Sequence, residues 1–186
     1  MREAAQPAIL VGHSRGGVLI SEVAERAPEN VAFLVYVSGF LVPHGASIVS
    51  TIKAAQPEGT EPQPFFAVDP QGRTTLLPEV VAAKLYSHTD PDWQAHAEAH
   101  LVAEPLAALT APVSLTEARF GSVRRAYIEA TNDRLLPLSL QRAMQARLPC
   151  ELVFSIPTDH SPAYSTPTEL VEHLQAIAAH AGTNAI

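Results

Sequence analysis

Residues 9–17, ILVGHSRGG, place a serine between glycines at the point where an apolar run ends. The run at residues 8–12 is aliphatic and does not alternate with polar residues, which is typical of a strand buried on both faces of a parallel sheet. From residue 15 to about 26, apolar residues recur at helical spacing until Pro28. The segment therefore predicts a strand, a tight turn carrying Ser14, and a helix.

The turn itself suits a nucleophilic serine. We expect Gly12 and Gly16 to lie where a Cβ has no room, and Ser14 to be strained with its Oγ exposed. The helix that begins at Arg15 directs free N–H groups and its positive dipole end at the same place, which favours a developing oxyanion. The alternative is a glycine-rich turn in which Ser14 caps a helix.

The composition limits the classes of partner. The chain has 186 residues, 47% of them apolar, and a formal charge of −7, which predicts one globular domain. An acidic chain without a Lys/Arg cluster is a poor partner for nucleic acid or an anionic membrane. Its apolar runs are far shorter than the ~20 residues that span a bilayer. With no secretory signal pattern and one cysteine, Cys150, we expect a cytoplasmic protein without an intrachain disulfide or a cysteine nucleophile.

The remaining segments predict an α/β fold with an insertion. A second buried strand, 31–37, completes a strand-helix-strand unit. Residues 43–110 are rich in proline and glycine, with a hairpin predicted around 70–72 and helices at 78–85 and 92–109. Strands at 125–130 and 151–156 and helices at 139–147 and 168–180 follow. We therefore predict a mostly parallel sheet flanked by helices, formed by residues 1–42 and 111–186, with residues 43–110 inserted as a small cap.

A serine nucleophile needs a base and a carboxylate, and two residues supply them. Asp133 and His160 each follow a predicted strand closely, and such loops gather at one edge of a parallel sheet. Asp159 is a rival acid, but neighbouring side chains near a strand end point to opposite sides, which favours Asp133. The alternatives are a turn-forming Asp133 and a surface histidine at 160. His13 alternates with Ser14 and should face away from the pocket.

Other polar and aromatic residues give weaker signals. His96 and His100 lie one helical turn apart with His88 nearby, but no third ligand is apparent, so we expect no metal and no cofactor. The predicted cap contains four aromatic residues, which are interpreted as cap core more readily than as pocket lining: Phe65, Phe66, Tyr86 and Trp93. The substrate-binding candidates are Phe40, Leu41, Trp93 and Leu135.

Four segments resemble, in order, those of the α/β-hydrolase fold: ILVGHSRGG, VYVSGFLVPHG, ATNDRLLPLSLQRAM and DHSPAYSTPTELVEHL. Within that fold they are similar to hydroxynitrile lyases and plant methylesterase-like proteins, over nearly the whole chain from Pro7 onward. The resemblance implies that Ser14 is the nucleophile, Asp133 the acid and His160 the base, under a small cap over an apolar pocket.

The chain departs from this pattern before the nucleophile strand. Members of the fold carry several strands there, and a loop among them donates one of two oxyanion N–H groups. We expect the backbone N–H of Arg15 to be the remaining donor, and the loss of one donor costs about 2.7–4 kcal/mol. The first strand is then an apolar sheet edge, which favours a homo-oligomer or pairing with an upstream segment.

A second departure bears on the reaction. Lyases of this branch place a lysine directly after the histidine to hold cyanide, and Ser161 cannot carry that charge. The leading hypothesis is a serine hydrolase that cleaves small apolar carboxylic esters through an acyl-enzyme. The alternatives are a truncated, non-catalytic or nearly inactive hydrolase that binds a small ligand, and a C–C lyase.

Overall fold

The computed structural model describes residues 6–55 and 65–183. Its strands are β1 Ala8–His13, β2 Val31–Val37, β3 Phe66–Val68, β4 Arg73–Leu76, β5 Glu104–Pro105, β6 Arg125–Ala130 and β7 Leu152–Ile156. Four of them form a parallel sheet in the order β1-β2-β6-β7, and β3, β4 and β5 form a small antiparallel sheet. The predicted α/β class with a parallel sheet flanked by helices is confirmed.

The helices are α1 Gly16–Arg26, α2 Ile48–Ala54, α3 Pro78–Val80, α4 Pro91–Ala99, α5 Ala107–Thr110, α6 Leu138–Arg147, α7 Pro162–Ser165 and α8 Pro167–Thr183. A π-helical turn, Val81–Leu85, continues α3. Two sequence predictions were incomplete. The helix expected at 92–109 ends at Ala99, because Pro105 cannot lie inside a helix and instead joins β5. Helix α2 was not predicted, although Ser47 and Ser50 form a capping box at its start.

Strand β2 lies at the centre of the parallel sheet and buries both of its faces. Leu34 and Tyr36 face one core cluster, together with residues of α1 and α6, whereas Phe33, Val35 and Val37 face a second cluster closed by α8. This follows from the two-residue alternation of side chains along a strand. Because both faces are covered, the strand has a continuous apolar sequence, and that run predicts a buried strand.

Strand β1 lies at an edge of the sheet and pairs with β2. Val11 on this strand is 49% exposed. The apolar edge predicted from the sequence is therefore present in the fold. Among the described helices, none is both long enough and apolar enough to cross a bilayer.

Candidate active site

Ser14 occupies the turn between β1 and α1. Its φ of 51° lies in the left-handed region, which is unfavourable for a residue with a side chain. Two backbone hydrogen bonds hold it there: its N–H donates to Val37 O at 3.2 Å, and Phe40 N–H donates to its carbonyl at 2.9 Å. The strained conformation is thus fixed by the last residue of β2 and by the segment that follows it.

Of the two glycines predicted to lie where a Cβ has no room, Gly12 is confirmed and Gly16 is not. A Cβ on Gly12 would lie 2.6 Å from the carbonyl oxygen of Gly16, so this position requires glycine. A Cβ on Gly16 would meet nothing within 4 Å, and the prediction for Gly16 was wrong. The crowded position is Gly17, where a Cβ would lie 2.6 Å from Phe40 O. Gly17 belongs to the buried face of α1, which packs on the sheet, and Gly16 does not.

Asp133 and His160 meet in the loops that follow β6 and β7. His160 Nδ1 donates to Asp133 Oδ2 at 2.7 Å, and both residues are buried. Because a carboxylate only accepts hydrogen bonds, this contact places the proton of a neutral imidazole on Nδ1. Nε2 is buried and makes no hydrogen bond within the described part of the chain. The arrangement leaves Nε2 with a free lone pair, as a general base requires.

The carboxylate of Asp133 is held from three sides. Its Oδ1 accepts the N–H groups of Leu135 and Leu136, both at 2.8 Å. Its Oδ2 accepts the hydroxyl of Ser38 as well as His160 Nδ1. Ser38 was not singled out from the sequence, although it directly follows β2 at the same sheet edge. Loops that follow parallel strands lie at one edge of the sheet, and the reasoning that selected Asp133 and His160 therefore also applies to Ser38.

Two further contacts fix the loop that carries Asp133. The buried side chain of Gln141 on α6 accepts Ala130 N–H at 3.1 Å and donates to the carbonyls of Ala130 and Leu136 at 3.0 and 2.8 Å. Asn132 N–H donates to Thr158 O at 3.0 Å, which joins this loop to the one that carries His160. Both loops are therefore anchored to the core before any substrate arrives.

Asp159 points away from the imidazole and binds other groups. Its Oδ1 accepts Ser161 N–H at 3.0 Å and Ser165 Oγ at 2.8 Å. Its Oδ2 accepts His88 N–H at 2.8 Å and Thr89 Oγ1 at 3.1 Å. The choice of Asp133 over Asp159 as the neighbour of His160 therefore agrees with the contacts. Asp159 instead ties residues 88–89 to the loop after β7.

His13 does not face away from the site, contrary to the expectation. It lines a cavity together with Ser14 and His160, and its Nε2 donates to the His160 carbonyl at 2.6 Å. Strand alternation did not apply because the left-handed Ser14 turns the chain directly after His13. Loss of hydration where the ring packs against His160, followed by electrostatic interaction with that imidazole, lowers the pKa of His13 to about 4, although His13 keeps an exposed surface on the cavity wall. A neutral His13 thus holds the backbone of His160.

Two cavities meet at Ser14. The first has a volume of about 360 Å³ and is lined mainly by apolar residues, including Phe40, Ile52, Phe66 and Leu135. The second, of about 500 Å³, is lined by His160 and by residues of α7 and the π-helical turn. Ser14 and Arg15 line both. Ser14 therefore lines both an apolar chamber and the chamber that contains His160.

The predicted substrate-binding residues divide into two groups. Phe40 and Leu135 line the first cavity. Leu41 and Trp93 line neither of the two cavities, so these assignments were wrong. Leu41 is fully buried in the core cluster beneath β2, and Trp93 is 55% exposed on α4. Of the aromatics interpreted as cap core, Phe65 and Phe66 line the first cavity, whereas Tyr86 both packs in a buried cluster with Val81 and Leu85 and lines the second cavity.

Arg15 lies at the N-terminus of α1, directly after Ser14. The first N–H groups of a helix have no partner within it, which is the basis of the oxyanion donor role predicted for the backbone N–H of Arg15, and that role stays a prediction at this position. Its side chain forms an ion pair with Glu104 on β5. Glu104 was not recognised from the sequence, because the pair joins residues 89 positions apart.

Of the weaker sequence candidates, His100 lines the first cavity, and His96 and Cys150 line neither cavity. The rings of His96 and His100 lie 4.4 Å apart, but within residues 6–55 and 65–183 no three His, Cys, Asp or Glu side chains converge on a metal position. Burial raises the pKa of the Cys150 thiol to about 12, which keeps it protonated.

The chain is similar to known proteins in both sequence and structure. Residues 2–173 match the model of the alpha/beta hydrolase family. The chain is 31% identical to methyl jasmonate esterase 1 of Vitis vinifera, over 94% of this chain and 71% of that protein. It is 30% identical to the pyrethroid hydrolase of Sphingobium wenxiniae, over 88% of this chain but only 61% of that protein, which is less than two thirds of its length. Among solved structures, tomato methylketone synthase I aligns with a TM-score of 0.79 at 27% identity, over 96% of this chain and 73% of that one. The chain belongs to the alpha/beta hydrolase family, in the branch of the plant methylesterases.

Proposed function

We propose that this chain is a serine carboxylesterase that cleaves small, largely apolar carboxylic esters. The observation that carries the proposal is the state of His160: Asp133 holds its Nδ1 at 2.7 Å, and its buried Nε2 lacks a hydrogen-bond partner among the described residues. Ser14 lines the same cavity. Acyl transfer requires a serine hydroxyl within reach of a neutral, oriented imidazole, so the proposal requires Ser14 Oγ, which forms no hydrogen bond with Nε2 in the structure, to approach that nitrogen when substrate binds.

In the first half-reaction, Ser14 Oγ attacks the ester carbonyl while His160 Nε2 takes its proton. The backbone N–H of Arg15 stabilises the oxyanion, and Asp133 stabilises the imidazolium. Collapse of the tetrahedral intermediate breaks the bond to the alkoxy oxygen, which leaves as the alcohol with the proton from His160. Water, activated by the same imidazole, then attacks the acyl-Ser14 ester and releases the carboxylic acid.

The cavities indicate the class of substrate. The first is lined largely by aliphatic and aromatic side chains, which suits an apolar acyl group. The second contains His160, which must protonate the leaving oxygen, and it therefore suits the alcohol part. Names of the relatives agree with this chemistry, since they include a methyl jasmonate esterase and a pyrethroid hydrolase.

Active-site labelling tests the proposal. A fluorophosphonate should modify the purified protein at Ser14, identified by peptide mass spectrometry, and the same protein should hydrolyse p-nitrophenyl butyrate. Ser14→Ala should abolish both. Ser122→Ala is the matched control, because this exposed serine lies outside both cavities and should leave both signals intact.

Two results would contradict the proposal. Hydrolysis that survives in Ser14→Ala would assign the chemistry to another residue. Binding of butyrate with neither label nor turnover in the wild-type protein would instead favour a non-catalytic ligand binder.

A further inference from the structure

The two cavities carry little charge apart from one pair of side chains. Among the described residues that line them, Arg15 and Glu104 are the only Asp, Glu, Lys or Arg. Both residues line both cavities, as Ser14 does. This pair therefore supplies the described cavity-lining side chains that can be charged near neutral pH, apart from three imidazoles: those of His13, His100 and His160.

The sequence of the small antiparallel sheet fixes the position of Glu104. Strand β5 pairs with β4 in a register that sets Glu104 opposite Thr74, and Thr74 Oγ1 donates to the Glu104 carbonyl at 3.1 Å. Leu106 N–H donates to Gly72 O at 2.9 Å, directly after the end of β5. With its backbone held at both ends, Glu104 presents its carboxylate to the guanidinium of Arg15.

An unpaired guanidinium at this place would have a chemical consequence. Ester hydrolysis converts a neutral acyl group into a carboxylate in the chamber next to Arg15, and guanidinium binds carboxylates through paired, charge-assisted hydrogen bonds. A free Arg15 would retain the product and would also accept substrates that already carry a carboxylate. Glu104 occupies Arg15 and adds a negative charge that repels both.

We infer that Glu104 is a specificity-determining residue: by occupying the Arg15 side chain, it restricts the site to neutral esters and promotes release of the acid product. The inference rests on the proposed function for its biological meaning. It predicts a difference in binding affinity between a carboxylate and a neutral ligand of the same shape. That preference is measurable as binding, without any turnover.

The test uses the full chain in the Ser14→Ala background, so that binding is separated from hydrolysis. Isothermal titration at neutral pH measures the Kd of hexanoate and of hexanamide. Glu104→Gln should bind hexanoate about tenfold more tightly than the background protein, since it frees one charge-assisted interaction in a partly exposed site. The Kd of hexanamide should change less than about twofold, because the amide carries no charge.

Two variants serve as controls. Glu79→Gln changes the net charge of the chain by the same amount at an exposed position on α3 outside both cavities, and it should leave hexanoate binding unchanged. Adding Arg15→Gln to Glu104→Gln should remove the gain, because the guanidinium that binds the anion is then absent. Thermal melts of each variant verify that the fold is retained.

The inference is wrong if hexanoate binds Glu104→Gln and Glu79→Gln equally. It is also wrong if hexanamide tightens as much as hexanoate, since the substitution would then have changed the shape of the cavity. Failure of the proposed function would give a different result: in the labelling and hydrolysis assays, the wild-type protein would neither hydrolyse esters nor react with fluorophosphonate.

Discussion

Two buried aspartates, Asp133 and Asp159, follow the last two strands of the parallel sheet and have the same number of hydrogen-bond partners. Each carboxylate accepts four hydrogen bonds, two on each oxygen. Asp133 binds a titratable imidazole, whereas Asp159 binds backbone N–H groups and hydroxyls. Burial and full hydrogen bonding are thus common to both and do not distinguish a catalytic carboxylate from an anchoring one.

What distinguishes them is the group at the other end of the bond. Only Asp133 can stabilise a positive charge that appears during a reaction, because only its partner gains a proton. Asp159 joins two segments whose hydrogen bonds do not change during acyl transfer. Its effect on catalysis should therefore pass through the position of residues 88–89, which lie between the π-helical turn and α4.

The largest effect should come from Asp133→Asn. An amide has one acceptor oxygen and can direct its NH₂ at His160 Nδ1, which would favour the tautomer with the proton on Nε2 and remove the base. We expect kcat for p-nitrophenyl butyrate to fall by about 10³- to 10⁴-fold. A loss below about tenfold would mean that Asp133 is not the orienting acid. Circular dichroism and a thermal melt serve to check that the variant is folded.

Asp159→Asn should have the opposite profile, with a loss of stability and little loss of turnover. Denaturant unfolding should show a free energy lower by about 1–3 kcal/mol, because the amide leaves at least one buried donor without an acceptor. We expect KM to rise while kcat changes by less than about threefold. A fall in kcat as large as that of Asp133→Asn would erase the distinction between the two carboxylates.

The smallest expected effects come from variants that each remove one hydroxyl donor to one of the two carboxylates. Ser38→Ala removes a donor to Asp133, and Thr89→Val removes a donor to Asp159 at nearly constant volume. Each should lower the free energy of unfolding by about 0.5–1.5 kcal/mol. Ser38→Ala should also lower kcat by about three- to tenfold, the kinetic equivalent of one such bond. Steady-state kinetics that show the larger kcat loss in Thr89→Val would reverse the assignment.

The parts of the site that could be predicted lie on regular elements or immediately after them. Ser14, Asp133 and His160 follow strands whose apolar runs are unmistakable, and parallel strands bring their carboxyl ends to one edge. The wrong predictions concern residues at the end of a strand or in a turn, where the periodicity of the element no longer determines the direction of a side chain. Gly16 was placed in a crowded position that belongs to Gly17, and His13 was turned away from a cavity that it lines.

The 43–110 segment was harder to predict for a related reason. Its strands are two to four residues long and its helices are short, so hydrophobic periodicity has too few repeats to identify them. The positions of Leu41 and Trp93 depend on how this segment packs against the core, and both were assigned wrongly to the pocket. Glu104 could not be recognised at all, since a two-residue strand carries no pattern.

The order of the residues alone was enough for the fold class, the strand-turn-helix around Ser14, and the three residues most suited to acyl transfer, because these depend on spacing within short segments. Tertiary structure was needed to show which aspartate orients His160, how the two cavities meet at Ser14, and that Glu104 neutralises Arg15. The physical reason is that hydrogen bonds and ion pairs act through space over about 3 Å. Partners such as Arg15 and Glu104, 89 residues apart in the chain, are brought within that distance only by the packing of whole elements.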